Sequence, residues 1–87
     1  MHKAGVVIVP YHVYVLLCED GSYYTGYAKD IDLRLRQHMK GVGARYTRLH
    51  RPERLVYSEE CHTIREAMKR EREIKRLSHR QKKRLTS

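Results

Sequence analysis

Tryptophan and phenylalanine are both absent from this chain of 87 residues, and seven tyrosines carry its aromatic content. A core built on large, wholly apolar rings is therefore excluded. Tyrosines suit half-wet positions, where the ring packs and the hydroxyl finds a polar partner. Long apolar runs are missing too. The uninterrupted run near the start, Val6-Val7-Ile8-Val9, is too short for a transmembrane helix or for the apolar part of an export signal. The two cysteines, Cys18 and Cys61, form no CxxC pattern, and without an export signal they are expected as reduced thiols in a cytoplasmic protein. Cys61-His62 has no second pair at finger spacing, which argues against a zinc module. Acidic residues are the minority charge, 10 Asp and Glu against 19 Lys and Arg, for a formal net charge of +9. So lopsided a balance on a small domain points to a polyanion, with DNA or RNA favoured over an anionic membrane surface.

A chain of this length is one small domain that buries roughly 60–65% of its unfolded surface, enough for a modest core and no deep cavity. Residues 1–10 read as an arm, with Val6–Val9 a candidate edge strand, and residues 11–87 as the domain.

What the chain does have is concentrated between Tyr14 and His38. His12-Val13-Tyr14-Val15-Leu16-Leu17-Cys18 is rich in β-branched and aliphatic residues and runs into Asp20-Gly21. Tyr23-Tyr24-Thr25-Gly26-Tyr27 follows, so the stretch reads as strand, tight turn, strand. A two-residue loop at Asp20-Gly21 would pair Leu17 with Tyr24 and send Tyr14 and Tyr24 to opposite faces. A three-residue loop with Gly21 left-handed places Tyr14, Leu16, Tyr24 and Gly26 on one face. The second register is expected, because it sets two phenols beside a glycine where a ligand or backbone can approach. Asp30 then caps a short helix with Ile31, Leu35 and Met39 as its apolar stripe and Gly41 as its stop. Arg34 and His38, four apart, share the neighbouring face.

Further along, Gly41-Val42-Gly43 is either plain connector or an approach for a phosphate, with Arg45, Tyr46 and Arg48 alongside on one short helical turn. Leu55–Ser58 reads as a third strand. Thr63-Ile64-Arg65-Glu66 is a capping box opening a helix to about Leu77, and Ser78-His79-Arg80-Gln81 opens a last one over His79–Leu85. The order of elements predicts an α+β domain, a small sheet covered by helices.

One residue breaks the pattern. The apolar positions of the helix after Thr63 are Ile64, Ala67, Met68, Ile74 and Leu77, and helical spacing puts Glu71 in the middle of that stripe. A carboxylate aimed at a core costs several kcal/mol unless it is paired or binds a cation. Glu71 therefore either pairs with an arginine such as Arg34 or Arg36, lies at the stripe's edge in reach of water, or serves as a metal ligand or general base. Tyr14 or Tyr24, Arg34, Glu71 with a divalent ion, and the basic surface together match the needs of phosphodiester hydrolysis, with His38 as a proton relay near neutral pH. The excess of cations from Arg65 onward, including Lys69 and Lys75, suits a phosphate backbone.

His12-Val13-Tyr14, then nine residues, then Tyr24-Thr25-Gly26 resembles the paired tripeptides that name the GIY-YIG nuclease superfamily. Arg34 and Glu71 stand where that family keeps its arginine and its metal-binding glutamate. The stretch from about Tyr11 to Leu85 looks like the small stand-alone bacterial members, related to the nuclease module of the bacterial excision-repair endonuclease. His12 departs from the first glycine of the name motif, Thr25 from its isoleucine, and Tyr27 from the lysine of some relatives. The resemblance implies a three-stranded antiparallel sheet with flanking helices. It also implies DNA cleavage with one Mg²⁺ or Mn²⁺ at Glu71, Arg34 on the scissile phosphate, and one of Tyr14 and Tyr24 activating water near His38. Gly26, Arg36, Arg45, Arg48, Lys69 and Lys75 are the expected nucleic-acid contacts, with targeting supplied by a partner protein in place of a second domain. The competing functions are a non-catalytic nucleic-acid-binding module of the same fold, and an RNA-associated protein that stacks bases on Tyr23, Tyr46 or Tyr57.

Overall fold

The structure, a computed structural model, describes residues 10–87. The arm and the candidate strand Val6–Val9 lie outside these residues, apart from Pro10. The elements run β1 (Tyr11–Cys18), β2 (Tyr23–Ala28), α1 (Ile31–Met39), α2 (Arg45–Leu49), β3 (Pro52–Cys61), α3 (Ile64–Lys75) and α4 (His79–Leu85). The domain is α+β, with one antiparallel sheet in the order β2-β1-β3.

Gly21 decides the hairpin. It sits at φ +85°, its N–H donates to Cys18 O at 2.9 Å, and Cys18 N–H donates to Ser22 O at 2.8 Å. Glu19, Asp20 and Gly21 thus form the three-residue loop, and only glycine adopts that backbone cheaply. The resulting register sets Tyr14 opposite Gly26 and Leu16 opposite Tyr24, on one face. The alternate residues, Val13 and Val15, point to the other face, where they meet Ala67 and Ile74 of α3 in the main core.

β3 is longer than the Leu55–Ser58 expected. Tyr11 pairs with Cys61 at one end and Cys18 with Pro52 at the other, with register shifts between Val15 and Leu16 and between Leu17 and Cys18. The polar ends of this strand, Glu53-Arg54 and Glu59-Glu60, hide it from the apolar pattern. Such charges are what an edge strand carries on its wet side.

Two apolar stripes also differ. On α1, Met39 is 54% exposed while His38 is 1% exposed, so the helix buries its Arg34/His38 flank against the tyrosine face. On α3, Ile64 and Met68 are exposed and the buried residues are Ala67 and Ile74. The caps are those expected at Asp30, Thr63 and Ser78. Glu66, though, reaches back to the His62 N–H at 2.9 Å rather than to that of Thr63. The last helix is tied to the hairpin turn, where His79 Nε2 donates to Gly21 O at 3.0 Å and the His79 ring packs on Tyr23. Both cysteines are buried free thiols, and Cys61 packs in the main core beside Val13 and Val15. Among the described residues, no helix is long and apolar enough to cross a membrane.

Candidate active site

Tyr14, at the centre of β1, is 1% exposed, and its hydroxyl lies 2.7 Å from His38 Nε2. The other ring nitrogen, His38 Nδ1, lies 2.7 Å from Thr47 Oγ1 on α2, and Thr47 in turn donates its hydroxyl to Ala44 O at 3.0 Å. Thr47 has one proton and spends it on that carbonyl, so its oxygen accepts from His38 Nδ1–H. Nε2 is then bare, and Tyr14 donates to it. Burial, and after it the positive charge of Arg34, pulls His38 down to about 4. At neutral pH the imidazole is uncharged. In this form His38 Nε2 accepts the Tyr14 proton as a neutral base.

Tyr14 and Tyr24 lie on the same face with ring centroids 6.3 Å apart, and the Tyr24 ring is 5.0 Å from that of His38. Burial raises the Tyr14 phenol well above the usual range; Tyr24 and Glu71 raise it further and Arg34 lowers it. Tyr24 is also raised, first by burial, with Arg34 lowering and Glu71 raising it. One guanidinium and one carboxylate therefore act on both phenols. Arg34 is half-buried and donates from Nη1 to Gln37 Oε1 at 3.0 Å. Glu71 is 18% exposed, and its partner is Lys75, at 3.5 Å, rather than Arg34 or Arg36. Lys75 is 53% exposed, so the pair is weak and leaves the carboxylate available to a cation.

Gly26 is not the nucleic-acid contact expected. It is buried, and a Cβ there would lie 2.7 Å from Tyr14 Oη and 3.0 Å from Tyr24 Cε2. The missing side chain makes room for the phenols. Gly26→Ala is expected to destabilise the fold by about 1–3 kcal/mol through overpacking, read by urea denaturation; wild-type stability would mean that the phenols can shift freely. Arg36, Arg45, Arg48, Lys69 and Lys75 are all exposed. The three tyrosines considered for base stacking are engaged within the protein. Tyr46 stacks on His50 (4.1 Å between centroids) and on Tyr24 (5.9 Å), Tyr57 donates to Glu59, and Tyr23 packs on His79.

Thr47 is a member of the site that the sequence does not single out, and Gly43 has a part there that its glycine-rich stretch does not reveal. A Cβ on Gly43 would run into the His38 ring, so this glycine seats the histidine rather than a phosphate. The paired glycines of Gly41-Val42-Gly43 are the available signal. Thr47→Val keeps the shape and removes the acceptor, leaving a buried N–H unpaired at a cost of about 1–3 kcal/mol. Thr47→Ser is expected to restore both stability and the Nδ1–H tautomer, as nitrogen NMR shifts of His38 would report. A Thr47→Val protein with unchanged stability and tautomer would remove Thr47 from this role.

The chain has relatives in both sequence and structure. A UPF0213 protein of Staphylococcus saprophyticus is 51% identical over 77 residues, covering 88% of this chain and 94% of its own. One from Staphylococcus aureus is 52% identical over 73 residues, covering 84% and 89%. The solution NMR structure of a UPF0213 protein from Bacillus halodurans matches with TM-score 0.55 at 47% identity, over 87% of this chain and 81% of that one. That of a protein from E. faecalis matches with TM-score 0.60 at 42% identity, over 86% and 80%. The family model for the GIY-YIG catalytic domain matches residues 10–84. That span takes in the whole sheet and both tyrosines that face His38, and the chain belongs to the GIY-YIG catalytic-domain family, a family of nucleases.

Proposed function

We propose that this protein is a divalent-metal-dependent endonuclease that hydrolyses DNA phosphodiester bonds, acting on nicked, branched or damaged DNA through its backbone. The observation that carries this is the buried hydrogen bond from Tyr14 to His38 on the face that Tyr14 shares with Tyr24, where the charges of Arg34 and Glu71 act on both phenols.

Glu71 suits a hard cation that takes oxygen ligands and keeps most of its waters, as Mg²⁺ and Mn²⁺ do. Among the described residues no group of three or more His, Cys, Asp or Glu side chains could enclose a metal. Water and the substrate phosphate would supply the other ligands. When bound, such an ion would supply positive charge to offset the negative charge that develops on the leaving oxygen.

The chain's own groups do the rest. Arg34 binds the scissile phosphate and offsets its charge. Tyr14 takes a proton from the attacking water as it hands its own to His38 Nε2, while the water oxygen forms the new P–O bond; the bond to the strand oxygen breaks, that oxygen takes a proton from solvent, and His38 returns its proton to solvent through Tyr14. Burial keeps the resting phenol protonated, so this transfer waits on the cationic groups gathered round a bound phosphate. Tyr24, with no such acceptor, serves as a hydrogen-bond donor to the phosphate.

Plasmid and branched oligonucleotides incubated with Mg²⁺ or Mn²⁺ are expected to be cut, and EDTA to stop the cutting. Binding without cleavage of any substrate would instead assign the chain as a non-catalytic nucleic-acid-binding module of the same fold.

A further inference from the structure

A cleft of about 290 Å³ opens between the end of α1, the α2 helix and the start of β3. Its wall includes His38 and Thr47, the pair directly behind the Tyr14 phenol. Exposed Lys40, Arg48 and Arg51 line it as well. Among the described residues that line it there is no carboxylate and no tyrosine. Nor, among the described residues, does Lys40 or Arg48 form an ion pair. Arg51 has only a loose contact with Glu19, at 3.8 Å between side chains 80% and 59% exposed.

Three cations gathered round one hollow repel one another, and an anion seated among them would relieve that repulsion. The lining also selects the anion. His38, the aromatic residue of its lining, is 1% exposed and gives a nucleobase no open ring face. Its volume is at the small end for ligand sites. Charge and size together fit a phosphate group. Its wall is shared with the tyrosine cluster, separated from Tyr14 only by the His38 ring and the Thr47 hydroxyl.

We propose that this cleft holds a second phosphate of the substrate strand, beside the one bound at Arg34, with Lys40, Arg48 and Arg51 as its partners. This rests on the nuclease function proposed above. Two phosphates gripped, one at Arg34 and one in the cleft, would fix how the strand lies over Tyr14, which a single contact at Arg34 cannot do.

The test uses the full chain carrying Glu71→Gln, so that binding is read without cutting. Binding of a short DNA duplex is followed by fluorescence anisotropy over a salt series. Arg48→Gln, Arg51→Gln and Lys40→Gln are each expected to reduce the slope of log affinity against log salt by about 1. Arg54→Gln, at an ion pair with Glu53 on β3, is expected to leave it unchanged. Equal slopes in wild type and all three cleft variants would overturn the proposal. In a second arm, inorganic phosphate is titrated into isotope-labelled protein. Amide shifts at Gly41 and Arg48 that vanish in Arg48→Gln are expected. Such shifts with unaltered DNA slopes would make the cleft a site for free phosphate alone, and overturn the strand assignment. No DNA binding by any variant would overturn the nuclease function, whereas DNA binding with no phosphate shift would overturn the cleft alone.

Discussion

Glu71→Gln is expected to reduce cleavage by about 100- to 1,000-fold or more, the scale on which removing one charge-stabilising group acts on a transition state, while DNA binding changes little. The exchange is isosteric, and among the described residues the ion pair it breaks is the one with half-exposed Lys75. Thermal stability should therefore stay near that of wild type. Arg34→Ala is expected to lose cleavage on the same scale and to weaken DNA binding as well, since Arg34 would hold the phosphate before and during the reaction. A second readout needs no activity. The Glu71 carboxylate raises both Tyr14 and Tyr24. Removing its charge favours the phenolates, so the ultraviolet phenolate signal should appear at lower pH in Glu71→Gln than in wild type. Arg34→Ala moves it to higher pH. Single-turnover cleavage and a spectroscopic titration check the two halves, and full cleavage by Glu71→Gln in metal would remove the carboxylate from the mechanism.

The second large effect concerns stability in acid. His38 is 1% exposed, and its pKa falls from 6.5 to about 4 on folding. Between those values the unfolded chain binds a proton that the folded chain does not. Stability from this group is fully present above 6.5, falls as pH drops toward 4, and changes no further below it. At about 1.4 kcal/mol per pH unit, the loss across that window is about 3 kcal/mol. Asp20 also loses stabilising interactions in acid, because Ser22 and His50 hold its carboxyl well below the usual range. Comparison with His38→Gln cancels that contribution. The amide can still accept from Tyr14 but does not titrate, so the wild type should lose stability faster than the variant between neutral pH and pH 4. Parallel denaturant curves with equal slopes against pH would show that His38 is not held neutral.

How far the site is legible from residues alone follows from what each residue advertises. Gly21 next to Asp20 marks a left-handed loop position, and that turn determines which side of the sheet each tyrosine takes. Glu71 stands out because a charge on an apolar stripe is costly and so rarely accidental. Arg34 and His38 are visible as neighbours four apart, but such spacing marks a shared face without saying whether it turns inward. Met39 looks the better core residue, and the helix instead buries a histidine that has a phenol and a threonine for partners. Thr47 carries no charge and sits in a helix of five residues, too short to show a period. The ends of β3 are masked by their own glutamates and arginines.

β1 has a further consequence for what this protein can tolerate. Its residues take turns, Val13 and Val15 holding the fold together and Tyr14, between them, facing the histidine. Among the described residues there is no spare strand on which to separate the two duties. A change that loosens the oily side shifts the phenol within its socket, and a change made to retune the phenol is felt by the oily side. Directed evolution of this protein would find robustness and reactivity hard to improve one at a time along β1, and would gain most on the exposed outer rows of α3, where neither is at stake.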